Sequence, residues 1–106
     1  MGRFVITRFR PKPGQQRALL AVIDRHWRLL QAEALITERP RYAMQAIDGT
    51  VIEVFEWRSE QGVAAAHQHP GVQARRAEFG SVCSYIPLSA LPEAQQPFVE
   101  FRPLGD

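Results

Sequence analysis

Tyr42-Ala-Met-Gln-Ala-Ile-Asp-Gly-Thr-Val-Ile-Glu-Val-Phe-Glu-Trp57 is the stretch that decides the fold. Two strand-like runs, Tyr42 to Ile47 and Val51 to Trp57, flank Asp48-Gly49-Thr50. Asp-Gly between β-branched and aromatic runs marks a hairpin, because the tight turn needs positive φ. The second run is apolar on both of its alternating sides. Val51, Phe55 and Trp57 share one side with Glu53, and Ile52 and Val54 occupy the other. A strand that is apolar on both sides is expected to be covered on both.

Upstream, Arg3 to Arg10 is rich in aromatic and β-branched residues and runs into Pro11-Lys-Pro-Gly14, which ends a strand. From Gln15 the period changes. Leu20, Ile23, Trp27, Leu30 and Ala34 recur at helical spacing, and a neighbouring stripe of Leu19, Val22, His26 and Leu29 widens the apolar face. The widened face offers a surface to a second subunit, and packing there is the expected role of His26 and Trp27. The helix must end before Pro40, whose ring disfavours helical geometry at Arg39.

Downstream, Ser59 with Glu60 and Gln61 opens a second helix, the serine as N-cap and the acid near the positive end of the dipole. Pro70 suits the first turn of a renewed helix. The second helix is therefore expected in two pieces, 59 to 68 and 70 to 83, with Val72, Phe79, Val82 and Cys83 on the apolar face of the second. Tyr85 to Gln96 reads as a linker with one helical turn, and Phe98 to Arg102 as the fourth strand. The order β-α-β-β-α-β predicts an α+β, ferredoxin-like domain, with an antiparallel sheet and both helices on one face. With only two helices available, the free sheet face is most simply covered by a second copy. A homodimer through sheet faces, a dimeric α/β barrel, is therefore expected.

The 106 residues suit one domain, 1 to 106, able to bury a two-layer core. No apolar run approaches the roughly 20 residues of a membrane span. The first ten residues carry arginines and no cleavage site, so a cytoplasmic protein is expected. A single cysteine, Cys83, excludes an intramolecular disulfide and reads as a small buried hydrophobe. The net charge is +2, with thirteen cations, twelve of them arginine, scattered among eleven acids. No basic stripe emerges, so no nucleic-acid partner is expected.

The junction Glu56-Trp57-Arg58-Ser59-Glu60, then Ala66-His67, then His69-Pro70-Gly71-Val72-Gln73-Ala74 leading to Phe79, resembles the antibiotic-biosynthesis-monooxygenase-like family of dimeric α/β-barrel proteins. The resemblance covers most of the chain in element order, from Phe4 to about Val82, and is sharp from Trp57 to Phe79. It implies a cavity between sheet and helices that holds a flat organic molecule. Family members include cofactor-free oxygenases of quinols and anthrone-type phenols, as well as haem degraders. The residues used in haem degradation, an asparagine, a tryptophan and a histidine, align near Thr7, Ala66 and Arg76. This chain has no asparagine, so haem degradation is not expected.

Among individual residues, His67 has the ordinary acidity for a base or hydrogen-bond partner of a phenol near neutral pH. It also suits capping of backbone groups at the helix break, or fixing a dimer. His67 and His69 point about 200° apart on a continuous helix and have no third ligand nearby, so no metal is expected. Trp57 and Phe55, with Glu53, form a candidate cavity wall for a flat aromatic ligand, or ordinary core. Glu53 needs a partner among apolar neighbours, and Arg8 on the first strand is a candidate for that ion pair. The glycines form no phosphate loop, so no nucleotide or flavin cofactor is expected. The combined expectation is a small-molecule-binding dimer, with a cofactor-independent monooxygenase of a quinol or polyphenol as its active form. The alternative is a non-catalytic binding protein of the same fold.

Overall fold

The computed structural model describes residues 2–105. The chain runs β1 (Arg3–Pro11), α1 (Gln16–Ala32), β2 (Tyr42–Gln45), β3 (Val51–Trp57), α2 (Glu60–Gln68), α3 (Pro70–Val82), β4 (Cys83–Tyr85) and β5 (Arg102–Pro103). Two short 3-10 turns, Leu88–Ala90 and Pro92–Gln95, lie between β4 and β5. The sheet is antiparallel throughout, in the order β4-β1-β3-β2-β5. Its first four strands keep the ferredoxin-like arrangement that the element order predicts. The hairpin forms where expected. The Ala46 amide donates to the Thr50 carbonyl at 2.9 Å, and Gly49 takes φ +92°, a value that side chains rarely tolerate.

Pairing of β1 with β3 runs from Arg3 opposite Trp57 to Phe9 opposite Val51. Strand alternation therefore sends Val5, Thr7 and Phe9 to the same face as Val51, Glu53, Phe55 and Trp57. That face meets the helices. Phe9 and Val51 pack with Leu19, Val22 and Ile23 of α1 and Phe79 and Val82 of α3. Phe55 and Trp57 pack with Leu30, Ala66 and Val72. The Phe9 and Phe79 rings stack at 4.8 Å.

The break between α2 and α3 falls at Pro70, as expected, and the local chemistry explains it. Ser59 Oγ accepts from the Gly62 amide at 3.0 Å and caps α2. His69 Nδ1 accepts from the Gly71 and Val72 amides at 3.0 and 3.3 Å and caps α3, with Pro70 in the first turn. A Cβ at Gly71 would stand 3.0 Å from the His69 ring, so glycine there lets the cap close.

Several expectations need correction. The widened face of α1 is not surplus, because Leu19, Val22 and His26 are buried inside the subunit together with Ile23 and Leu30. Ala34 lies beyond the helix end, at φ +56°. The strand beside β1 is Cys83–Tyr85, which follows α3 directly. Phe98 to Phe101 joins no strand, and the two-residue β5 pairs with β2 at the opposite edge. Three residues are too few to show alternation, so Cys83 read as the end of a helical stripe. The second sheet face is covered in part by the chain's own later residues. Ile86, Leu91, Ala94 and Phe101 pack on Met44, Ala46, Ile52 and Val54. Phe4, Ile6 and Tyr42 on that face stay 64%, 40% and 61% exposed. Among the described residues, no helix is long and apolar enough to cross a membrane.

The left-handed Ala34 closes α1, with the Leu35 amide reaching back to the Leu30 carbonyl at 3.0 Å. Glycine bears that conformation without the Cβ clash. Ala34→Gly is therefore expected to stabilise the fold by about 0.5–1 kcal/mol in denaturant unfolding, and an equal or lower midpoint would count against strain at this position.

Candidate functional site

The face shared by β1 and β3 does not close completely against the helices. A cavity of about 460 Å³ remains, walled by Val5, Thr7 and Phe9 of β1, Phe55 and Trp57 of β3, and Phe79 of α3. Val63 and His67 of α2, His26 of α1, Arg76 of α3 and Tyr85 of β4 complete it. Phe55 and Trp57 meet edge to face, with centroids 5.3 Å apart, and offer aromatic surface for stacking. Three of the residues singled out in the sequence, Phe55, Trp57 and His67, are thus brought to one cavity.

His67 and Arg76 approach across the Pro70 break, with Arg76 Nη1 2.8 Å from His67 Nδ1. Guanidinium can only donate, so Nδ1 is the acceptor and the ring proton sits on Nε2. His67 is therefore a hydrogen-bond donor through Nε2 as it stands, and taking a proton there would require breaking its bond to Arg76. Capping at the break falls to His69, and the exposed His67 ring, held by Arg76, contributes to the cavity lining. His69 Nε2 lies 3.4 Å from Glu33. Among the described residues, no group of three or more His, Cys, Asp or Glu side chains is placed to hold a metal ion.

Glu53 and Arg8 are placed elsewhere. Arg8 stands opposite Ile52, one residue out of step with Glu53, so its side chain is on the other sheet face. There its Nε donates to the Ile86 carbonyl at 3.0 Å. Glu53 points toward the helices but lies beside the cavity, and it is 1% exposed. Its partner is Arg41, at 3.2 Å, which also reaches Asp24 at 3.2 Å and rests 4.7 Å from the Trp27 ring. Arg41 precedes the hairpin in a segment without regular structure, so no periodicity pointed to it.

Sequence reasoning also missed Thr7, Val63, His26, Arg76 and Tyr85 as cavity residues. Thr7 was available from β1 parity. Arg76 and Thr7 were named only as positions aligned with haem-degrading residues. His26 was visible as a polar side chain on an apolar stripe, and it is buried, with Nε2 lacking a hydrogen-bond partner among the described residues. Its ring meets the Phe79 ring edge to face at 5.4 Å.

Burial acts oppositely on the two enclosed titratable groups. It pushes the Glu53 carboxyl up to about 7, against a smaller pull from Arg41. It pushes His26 down to about 4, helped by the Arg76 charge.

No family model matches this chain, and no curated protein matches it. The fold defines it as a small α+β protein with a ferredoxin-like antiparallel sheet. The solved structure of Rv0793 from Mycobacterium tuberculosis is similar to it, with a TM-score of 0.65 and 25% sequence identity over 89% of this chain and 99% of that one.

The two buried groups generate opposed pH dependences. Between the ordinary 4.5 of Glu53 and its folded value near 7, the native state keeps a proton that the unfolded chain releases. Stability from this group is therefore lost as pH rises. Between 6.5 and about 4, unfolded His26 takes up a proton that the native ring refuses, so its contribution is lost as pH falls. In the wild type the two slopes offset where the windows overlap. Glu53→Gln is expected to leave stability rising with pH, and His26→Gln to leave it falling, each by up to about 1.4 kcal/mol per pH unit. Denaturant unfolding across that range checks this, and two variants that track the wild type in parallel would exclude it.

Proposed function

We infer that this protein is a small-molecule-binding, antibiotic-biosynthesis-monooxygenase-like homodimer that oxygenates a quinol or polyphenol-type substrate without a cofactor. The observation that carries this reading is the cavity itself. It sets an aromatic wall of Phe55 and Trp57 opposite the polar pair His67 and Arg76, within a lining that is otherwise mostly apolar. A flat ring stacks on the wall, and its hydroxyl oxygen meets His67 Nε2–H. Exclusion of water strengthens those polar contacts.

For an anthrone-type phenol, the substrate supplies the electrons. One atom of molecular oxygen becomes a new carbonyl at the substrate's methylene carbon, and the other leaves as water with the two methylene hydrogens. The protein's part is to orient the ring, hold the ionised oxygen and keep bulk water away.

The homodimer is supported by the second sheet face. Ile6, Val54 and Tyr42 form one row across β1, β3 and β2, with Phe4 in the next row. Beside them lies an apolar hollow of about 260 Å³, bounded by Met44, Leu88, Val99 and Phe101 among others. A contiguous apolar surface of this kind is characteristic of an interface. Sedimentation at micromolar concentration is expected to give a dimer, and Tyr42→Lys with Ile6→Lys to shift it toward monomer. A monodisperse wild-type monomer would remove this part of the reading.

The activity is tested by oxygen uptake without added cofactor, against a panel of quinols, anthrones and catechols. Uptake above the autoxidation blank is expected from at least one compound, with a loss of roughly 10²-fold or more in His67→Ala if His67 holds the developing anion. Absence of uptake from every compound, with ligand binding retained, would make this a binding protein without catalysis.

A further inference from the structure

The helices α2 and α3 begin with caps of different chemistry. Ser59 Oγ, a hydroxyl that keeps its proton at any ordinary pH, accepts from the Gly62 amide. The start of α3 relies instead on an imidazole. His69 Nδ1 accepts from the Gly71 and Val72 amides at 3.0 and 3.3 Å, and the His69 carbonyl accepts from the Gln73 amide at 3.0 Å. Pro70 has no amide hydrogen to satisfy. One residue therefore meets every amide donor in the first turn of α3.

The other ring nitrogen faces a different partner. With Nδ1 accepting, the ring proton sits on Nε2, which lies 3.4 Å from Glu33 Oε1 just past the end of α1. The ring is 30% exposed, so solvent protons reach it. The other ionisable side chains at the joint, His67 of α2 and Arg76 of α3, engage each other. Toward the sheet the joint is apolar, with Ala66 and Val72 packed among Leu29, Leu30, Phe55 and Trp57.

A second proton on the His69 ring goes to Nδ1, and an imidazolium has no lone pair with which to accept. Capping and charge are thus mutually exclusive in this side chain. The charged ring gains attraction to Glu33 and gives up the Gly71 and Val72 amides. Val72 is 0% exposed, so water is a poor substitute acceptor for its amide.

We propose that His69 is a pH-sensitive latch on the joint between α2 and α3. Neutral, it caps α3 through Nδ1; protonated, it releases the first turn of α3 and turns to Glu33. The rest of α3 stays anchored by Phe79 and Val82, so acid loosens the joint and leaves the domain folded. The latch goes beyond the ligand reading of the cavity and holds whatever the cavity takes.

The test is amide hydrogen exchange read by NMR, as protection factors, from about pH 7.5 to about pH 5, a range that spans ordinary histidine titration. Val72 protection is expected to fall about fivefold or more as pH falls, the loss that removing an N-cap brings, while Phe79 and Val51 keep theirs. Ring nitrogen shifts of His69, followed in the same samples, should titrate with the midpoint of that fall. His69→Asn, which accepts as a cap and does not titrate, is expected to hold Val72 protection level across the range. Glu33→Gln should leave the cap intact at the upper pH and reduce the loss at the lower. Constant Val72 protection in the wild type would overturn the latch. So would a fall shared equally by Phe79 and Val51, a midpoint apart from that of the His69 ring, or the same fall in His69→Asn.

Discussion

Seven consecutive residue pairs hold β1 to β3, from Arg3 with Trp57 to Phe9 with Val51, and the register of this pairing sets everything above it. Side chains alternate with a period of two, so a slip of β1 by one residue would turn Val5 and Phe9 away from the helices and turn Arg8 toward them. In the observed register, the apolar set faces α1, α2 and α3. Thr7 and Glu53 are then the polar members of that face. The cavity, the stacked Phe9 and Phe79 rings and the Glu53–Arg41 pair all follow from the same alignment.

Two charged systems share this layer and are kept distinct. Glu53, Arg41 and Asp24 form a chain under α1, shielded by the Trp27 ring, and it carries its own compensation. Arg76 lies on the cavity side, where the facing groups are neutral. Had Glu53 reached the cavity, it would have offered Arg76 a partner. The commitment of Glu53 to Arg41 thus shapes the cavity without lining it.

The sequence was readable wherever a local rule acted alone. Asp48-Gly49 marked the hairpin because a positive φ was needed there, and Ser59 and Pro70 marked the helix starts because orphan amides must be satisfied or absent. Phe55 and Trp57 could be placed together from parity. Legibility failed where two rules competed or none applied. Cys83 to Tyr85 followed a helix so closely that helical spacing absorbed it, and Phe98 to Phe101 had strand-like composition but spent Phe101 on the exposed sheet face. Arg8 was expected to meet Glu53 from proximity in the sheet, and a one-residue difference in parity put them on opposite faces. His26 faced the interior because α1 is buried along a stripe one residue round from the one first apparent.

The joint at His69 and Pro70 also divides the structure dynamically. Because no backbone hydrogen-bond ladder runs continuously through it, α2 and α3 are separate cooperative units. α2 has nine residues, few buried side chains and the weaker hold of the two, through Gly62, Val63 and Ala66, whereas α3 inserts Val72, Phe79 and Val82 into the core. A helix this short is marginal without its tertiary contacts. Its local opening therefore costs less than unfolding the domain, and its amides should exchange with solvent ahead of those of α3. The wall that carries Val63 and His67 can part from the sheet while the floor stays folded, so the hollow can widen on a timescale shorter than global unfolding.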